Sequence, residues 1–222
     1  MPALRIAALA SGRGSNLAAL LDACADGRID GKVVLLASDK PNCAALTLAG
    51  EAGVPTVALR PGDYPDRRSF DEALFDALAA SGADLLVLAG YMRIIDPSVL
   101  APWAGRAVNV HPSLLPLYRG LHTHAQALAA GDAEHGASVH FVTAELDGGP
   151  VLAQARISIG PADTEATLAA RLLVHEHRLL PAVVGAIAAG RIAWNEGHPT
   201  FDGRVIDTPL TLRGEGSLGA AT

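Results

Sequence analysis

Pro112 and Pro116 bracket the most constraining stretch of the chain, Ala107 to His124, which reads AVNVHPSLLPLYRGLHTH. A proline gives no N–H to a ladder and clashes with a preceding helical turn, so an apolar strand ending near Val110 must leave its sheet at His111. It then runs as an ordered loop that returns through Gly120. Side chains two apart on a strand share a face, which makes Asn109 and His111 neighbours where strand becomes loop. That is where α/β proteins keep their ligands. An imidazole moves a proton near neutral pH, and a primary amide donates to a developing oxyanion without changing its charge, so the pair suits attack on a carbonyl. An isolated N-x-H also fits a turn-capping Asn beside a buried structural His, and the rest of the chain has to decide.

Upstream, apolar runs alternate with helix-like spacing. Leu4 to Ala10 ends in Ser11-Gly12-Arg13-Gly14-Ser15-Asn16 and is followed by the amphipathic LAALLDACA: strand, glycine loop, helix. Free N–H groups and the positive end of a helix dipole then face the turn, with Ser15 or Asn16 as cap and donor. Leu17 stands where a dinucleotide fingerprint needs its third glycine, so a monophosphate fits better than a pyrophosphate. Lys32 to Ser38 is a second strand, and Asp39 after it reads as a turn residue. Asn42 is placed to cap a helix over CAALTLAGEAG, Thr56 to Leu59 is a third strand, and RPGDYPDRR is a polar loop before the helix SFDEALFDALAAS. Asp84 to Leu88 is the next buried strand. The segment Gly90 to Ile95 at its end suits either a pocket wall for a flat, partly anionic ligand or a strand extension.

Downstream, Thr123 is placed to cap THAQALAAG. Ala137 to Val142 and Val151 to Ile159 are strands whose connecting loop, Thr143 to Pro150, is too short for a helical crossover, so they pair antiparallel. Thr164 to His177 is an amphipathic helix, Pro181 opens another, and a hairpin turns at Asp202-Gly203. The pattern predicts an α/β fold: a Rossmann-like, mostly parallel sheet flanked by helices, with an antiparallel C-terminal extension. It predicts one domain over residues 1–207 and a mobile tail over 208–222, whose apolar content is too low to order itself.

Half of the 222 residues are hydrophobic, enough for a sizeable core. Net charge is −6, from 23 acidic and 17 scattered basic residues, which disfavours a nucleic-acid partner. Cys24 and Cys43 are isolated and suit a reducing compartment. The N-terminus lacks a secretion pattern and no run approaches ~18 uninterrupted apolar residues, so a cytoplasmic protein without membrane attachment is expected.

SGRGSN, LAGYMRII, NVHPSLLPLYRGLHTHAQAL and HGASVHFVTAELDGGPV, in this order, resemble the folate-dependent formyltransferases, most closely the branch that formylates a phosphoribosylated glycinamide in purine synthesis. The resemblance implies the formyltransferase fold and a catalytic group of Asn109, His111 and Asp147. It implies that Gly14, Ser15 and Asn16 hold the ribonucleotide phosphate and that Glu176, which by itself reads as a surface carboxylate, contacts the ribose. For the donor, 10-formyltetrahydrofolate, it implies contacts from Arg67, from Met92, Arg93, Ile94 and Ile95, and from Asn109 and the loop Thr143 to Asp147. No metal is implied, the partners are small molecules, and the assembly is a monomer or homodimer.

In the implied chemistry an amine attacks the formyl carbon while Asn109 and His111 stabilise and relay, and Asp147 orients His111 and raises its pKa. A formyl-folate hydrolase would use the same three residues with water as nucleophile. A non-catalytic nucleotide-binding module would need SGRGSN alone. A zinc site built from His111, His122, His124, His140 and Asp147 fits no common ligand spacing.

Overall fold

Strands buried on both faces of a parallel sheet need uninterrupted apolar runs, and the first half of the chain supplies them in sequence. The computed structural model describes residues 2–214 and 216–220. The sequence places residues 1–207 in one domain; the contacts divide the chain into two compact units, Met1–Asn109 and Val110–Thr222.

In the first unit, β1 (Leu4–Leu9), β2 (Gly31–Ser38), β3 (Thr56–Ala58), β4 (Leu85–Leu88) and the start of β5 (Ala107–His111) form a sheet in the order β5-β4-β1-β2-β3. Every pairing is parallel. Ile6, Ala8, Leu9, Leu36, Leu86 and Val87 are solvent-free. Helices α1 (Ser15–Ala25), α2 (Ala44–Glu51) and α3 (Arg67–Ala80) pack against it. The chain starts at the centre, moves outward to β3, and returns to the other side of β1 as β4, so a switch point lies between β1 and β4.

Three helix starts differ from expectation. Gly14, Cys43 and His122 are the N-cap residues of α1, α2 and α4 (Thr123–Ala130), none with a side-chain cap. The caps assigned to Ser15 or Asn16, to Asn42 and to Thr123 therefore do not form. Thr123 instead donates its hydroxyl to the Pro112 carbonyl at 2.6 Å.

The second unit holds β6 (Glu134–Phe141) and β7 (Val151–Ser158), antiparallel as expected. Gly136 is required by their packing, since a Cβ there would meet the Ala155 carbonyl oxygen and the Leu114 side chain. Helix α5 (Glu165–Ala188) begins in a capping box on Thr164 and Thr167 and packs on β6 and β7. It runs straight through Pro181, where a new helix was expected. A proline inside a helix costs about 3 kcal/mol, but Leu179, Leu180, Pro181, Val183 and Val184 continue the buried face, and their burial outweighs one lost hydrogen bond. The expected hairpin is a three-stranded meander, β8 (Ile192–Asn195), β9 (His198–Phe201) and β10 (Arg204–Val205). Its two turns, Glu196-Gly197 and Asp202-Gly203, both take the left-handed φ that such tight connections demand.

The mobile tail is corrected over most of its length. Strands β11 (Leu210–Arg213) and β12 (Ser217–Gly219) pair with each other, and β11 adds in parallel to β7 through Leu210 and Thr211. Backbone groups on the β7 edge supply the order that apolar content does not, and Leu210 is buried. Residues 215, 221 and 222 of that stretch lie outside the described residues. No described helix is long and apolar enough to cross a membrane.

A chain ending at Thr208 should therefore be measurably less stable. Losing the buried Leu210 costs roughly 2 kcal/mol, which at this chain length lowers Tm by roughly 4–8 °C. An unchanged Tm by calorimetry would return the segment to a loose tail.

Candidate active site

In the first unit, the loops after β1 and β4 meet at the switch point, and Ser11 ties them together. Its N–H donates to the Gly90 carbonyl at 3.1 Å, and its hydroxyl donates to Asp39 Oδ1 at 2.6 Å while accepting from the Met92 N–H at 3.0 Å. Asp39 is thus the anchor of this tie, a role its position as a turn residue did not reveal. Gly14 has φ 80°, and a Cβ on it would lie 2.8 Å from Ala45 Cα, so the turn admits no side chain. Half-buried Ser15 and buried Asn16 open α1, whose first N–H groups have no partner further back in the helix. A cavity of about 540 Å³, lined by Ser11, Arg13, Asp39, Lys40 and Arg60 among others, flanks the turn.

Along the second loop the side chains alternate. Met92 and Ile94 are exposed, Ile95 is half-buried, and Arg93 turns inward to lie 5.1 Å over the Phe70 ring. The segment therefore offers apolar side chains and backbone to a ligand, while its arginine is engaged with α3. Arg67, the first residue of α3, is exposed and pairs with Asp96 at 3.6 Å. Asp71, which the sequence reading passed over, is fully buried and accepts the Asp96 N–H at 2.7 Å. Burial raises its pKa, against the opposing pull of that hydrogen bond and of Arg93 and Arg67.

Asn109 closes the first unit, half-buried and in register with Leu88 of β4. Two residues further along β5, His111 belongs to the second unit and is 5% exposed. Its Nε2 lies 2.9 Å from the Tyr118 carbonyl oxygen. A carbonyl only accepts, so Nε2 carries a proton and Nδ1 is the nitrogen that titrates. Nδ1 stands 3.5 Å from Asp147 Oδ2. His140, weighed from the sequence only as a metal ligand, approaches the other carboxylate oxygen: its Nε2 is 3.7 Å from Asp147 Oδ1 and its Nδ1 donates to the Phe141 carbonyl at 2.9 Å. The Gly120 N–H completes the cradle, 2.8 Å from Asp147 Oδ2.

Asp147 itself has φ 47°, and a Cβ on Gly149 would lie 1.9 Å from the Phe141 carbonyl oxygen. The D-G-G sequence is therefore what lets the loop fold back on the end of β6. Thr143 is half-buried and lies near Glu145, which pairs with Arg119. Glu176 is a buried residue of α5, not a surface carboxylate. Among the described residues no three His, Cys, Asp or Glu are grouped to hold a metal ion.

The electrostatics correct one expectation. Burial lowers the His111 pKa below the usual imidazole value, and it outweighs the Tyr118 carbonyl and the Asp147 charge, both of which favour the cation; His140 adds to the lowering. Asp147 does act upward on His111, as expected, but does not win. Burial would raise Asp147 in turn, yet the approach of His140, the charge that His111 carries once protonated and the Gly120 N–H together hold it below the usual carboxylate range. At neutral pH the pair is a neutral imidazole facing a carboxylate.

The formyl transferase family matches residues 4–184. The phosphoribosylglycinamide formyltransferase of Escherichia coli is 44% identical over 201 residues, 90% of this chain and 95% of that protein. That of Mycobacterium tuberculosis is 46% identical over 184 residues, 83% of this chain and 85% of its own. Among solved structures, the phosphoribosylglycinamide formyltransferase of Coxiella burnetii in complex with CHES superposes with a TM-score of 0.86 at 39% identity, covering 91% of this chain and 95% of that one. Glycinamide ribonucleotide transformylase 1 of Symbiobacterium toebii gives 0.86 at 41%, covering 89% and 93%.

Beside the cluster, His124 Nδ1 and His135 Nε2 are 3.0 Å apart, and burial together with the His124 charge pushes the almost solvent-free His135 down to about 4. An imidazole kept neutral in the fold takes a proton on unfolding below its ordinary value of 6.5. Its contribution is full above that pH and is lost as pH falls toward about 4. The loss amounts to on the order of 3 kcal/mol. Asp71, with its pKa raised, works in the opposite sense. Denaturant unfolding between pH 7 and 4 should show the decline, and His135→Gln should flatten it; equal slopes for both proteins would remove His135 from the account.

Proposed function

The chain belongs to the formyl transferase family, and from that premise we propose that it transfers the formyl group of 10-formyltetrahydrofolate to the amine of 5-phosphoribosylglycinamide, a step of de novo purine biosynthesis. The observation that supports the chemistry is the carboxylate of Asp147, its side chain 9% exposed, facing His111 at 3.5 Å from one oxygen. Asn109 donates its side-chain N–H to the oxygen of the formyl group as charge develops there. His111, neutral at Nδ1, accepts the proton that the attacking amine must lose and passes it toward the departing folate nitrogen; Asp147 stabilises the imidazolium that exists in between.

The remaining roles are those that the family resemblance implies, and local features are compatible with them. Gly14, Ser15 and Asn16 suit the substrate phosphate, because a side-chain-free turn leads into a helix N-terminus. Glu176 suits the ribose hydroxyls. Exposed Met92 and Ile94, with Ile95, the Arg93 backbone, Arg67 and Thr143, suit a flat folate with an acidic tail. The protein works on small molecules, and its reading as a cytoplasmic enzyme rests on the reaction assigned here.

A hydrolase would share Asn109, His111 and Asp147 but would have no use for a phosphate turn. The relatives named above are transferases. A nucleotide-binding module would not require a carboxylate cradled by two histidines.

Incubation with 10-formyltetrahydrofolate, with and without the ribonucleotide, separates these readings. Formylated amine should form, with little formate and slow consumption when the amine is absent. Equal formate release without it would make the protein a hydrolase. Asn109→Ala should reduce kcat on the order of 10²–10³-fold. Asp147→Asn should reduce it on the order of 10²-fold and move the His111 limb of the pH profile to lower pH, because the charge favouring imidazolium is gone. An upward move would contradict the assignment.

A further inference from the structure

His111 is useful to proton transfer only if the correct nitrogen is free, and that choice is made by a backbone carbonyl on a residue in an unfavourable conformation. Tyr118 has φ 53°, a left-handed geometry that is unfavourable for a non-glycine residue. Its carbonyl accepts from His111 Nε2 at 2.9 Å. At its other end, the phenol hydroxyl donates to Asp132 Oδ2 at 2.6 Å. Asp132 is itself held at the end of α4, where its N–H donates to the Ala127 carbonyl at 3.2 Å. One side, Leu117, is fixed by the buried Ser113, whose hydroxyl donates to the Leu117 carbonyl at 2.6 Å. On the other side Gly120 donates to Asp147. The Tyr118 ring is thus a strut between the α4 terminus and the carbonyl that occupies His111 Nε2.

We propose that Tyr118 is a positioning residue for formyl transfer: its hydroxyl bond to Asp132 holds the left-handed backbone, and that backbone assigns the permanent proton of His111 to Nε2 so that Nδ1 exchanges protons beside Asp147. The proposal rests on the reading of His111 as the proton-handling group. Other groups facing the ring are Asp147 from the D-G-G loop and His140 from β6; His135 on β6 and His124 on α4 act at longer range. None of them replaces a carbonyl acceptor at Nε2.

The test uses ring ¹⁵N chemical shifts of His111 together with steady-state kinetics. In the parent protein neutral His111 should show a single tautomer protonated at Nε2. Tyr118→Phe, which keeps the ring and loses the hydroxyl, should show mixed tautomers and a kcat lower by roughly ten- to a hundredfold, with both KM values within about twofold. Asp132→Ala should behave the same way. Asp132→Asn, which keeps an accepting oxygen, should restore the single tautomer and most of the rate, and the double variant Tyr118→Phe/Asp132→Ala should be no worse than either single one. Parent-like shifts in Tyr118→Phe, or additive losses in the double variant, would overturn the proposal. Mixed tautomers at full kcat would leave Tyr118 as the holder of the ring and remove His111 from the chemistry.

Discussion

Pro112 cannot offer an N–H to a neighbouring strand, and the polar cluster of the second unit takes its form from the chain having to leave β5 there. A loop that leaves a buried strand carries its own backbone polar groups into the interior, where each unmade hydrogen bond costs roughly 1–3 kcal/mol. The residues that answer for them are specific. Thr123 takes the Pro112 carbonyl, Ser138 the Ser113 carbonyl, and Gln154 the Leu115 carbonyl, while the Leu115 N–H donates back to Ser138. Once these are satisfied, the loop has little freedom, and the Tyr118 carbonyl and Gly120 N–H arrive where His111 and Asp147 need them.

The same burial sets the electrostatics. A carboxylate removed from water stays ionised only if its surroundings favour the charge, and Asp147 accepts the Gly120 N–H and has two imidazoles within 3.5 and 3.7 Å that favour it when they are protonated. An imidazole removed from water tends to be neutral, and His111 is. The two groups are therefore set apart by their surroundings: one holds a fixed negative charge, the other is free to acquire a positive one beside it.

What was legible in the sequence follows from how local each cause is. Parallel strands buried on both faces announce themselves as apolar runs, so β1, β2, β4 and β5 were evident, as was the candidate site proposed at the end of β5. Short-range rules did less well wherever distant packing outweighed them. Pro181 was taken for a helix start because the rule knows the lost N–H but not the buried face beyond it. Leu210 and Thr211 were assigned to a loose tail because their partner, the β7 edge, lies far away in sequence. At the candidate site, Asn109 and His111 are read from the strand end and Asp147 from a resemblance, whereas the roles of His140, Tyr118 and Asp39 arise from a ring edge, a backbone carbonyl and a serine relay that no residue pattern encodes.

A lowered His111 pKa also bears on the order of events. In the proposed reaction His111, whose basicity burial lowers, is not needed to deprotonate the amine before attack: with a pKa of about 8, a free α-amino group is partly unprotonated at neutral pH, and that free base is the species that attacks. In the proposed mechanism the situation changes after attack. The nitrogen bonded to the tetrahedral carbon is a far stronger acid than the free ammonium, and its proton moves downhill to Nδ1, where Asp147 favours the resulting cation. Proton transfer then follows bond formation, and the low basicity of the resting ring has a second effect: it gives a stray water molecule little assistance. A site that withholds strong base until an amine has added favours transfer over hydrolysis without having to exclude water completely.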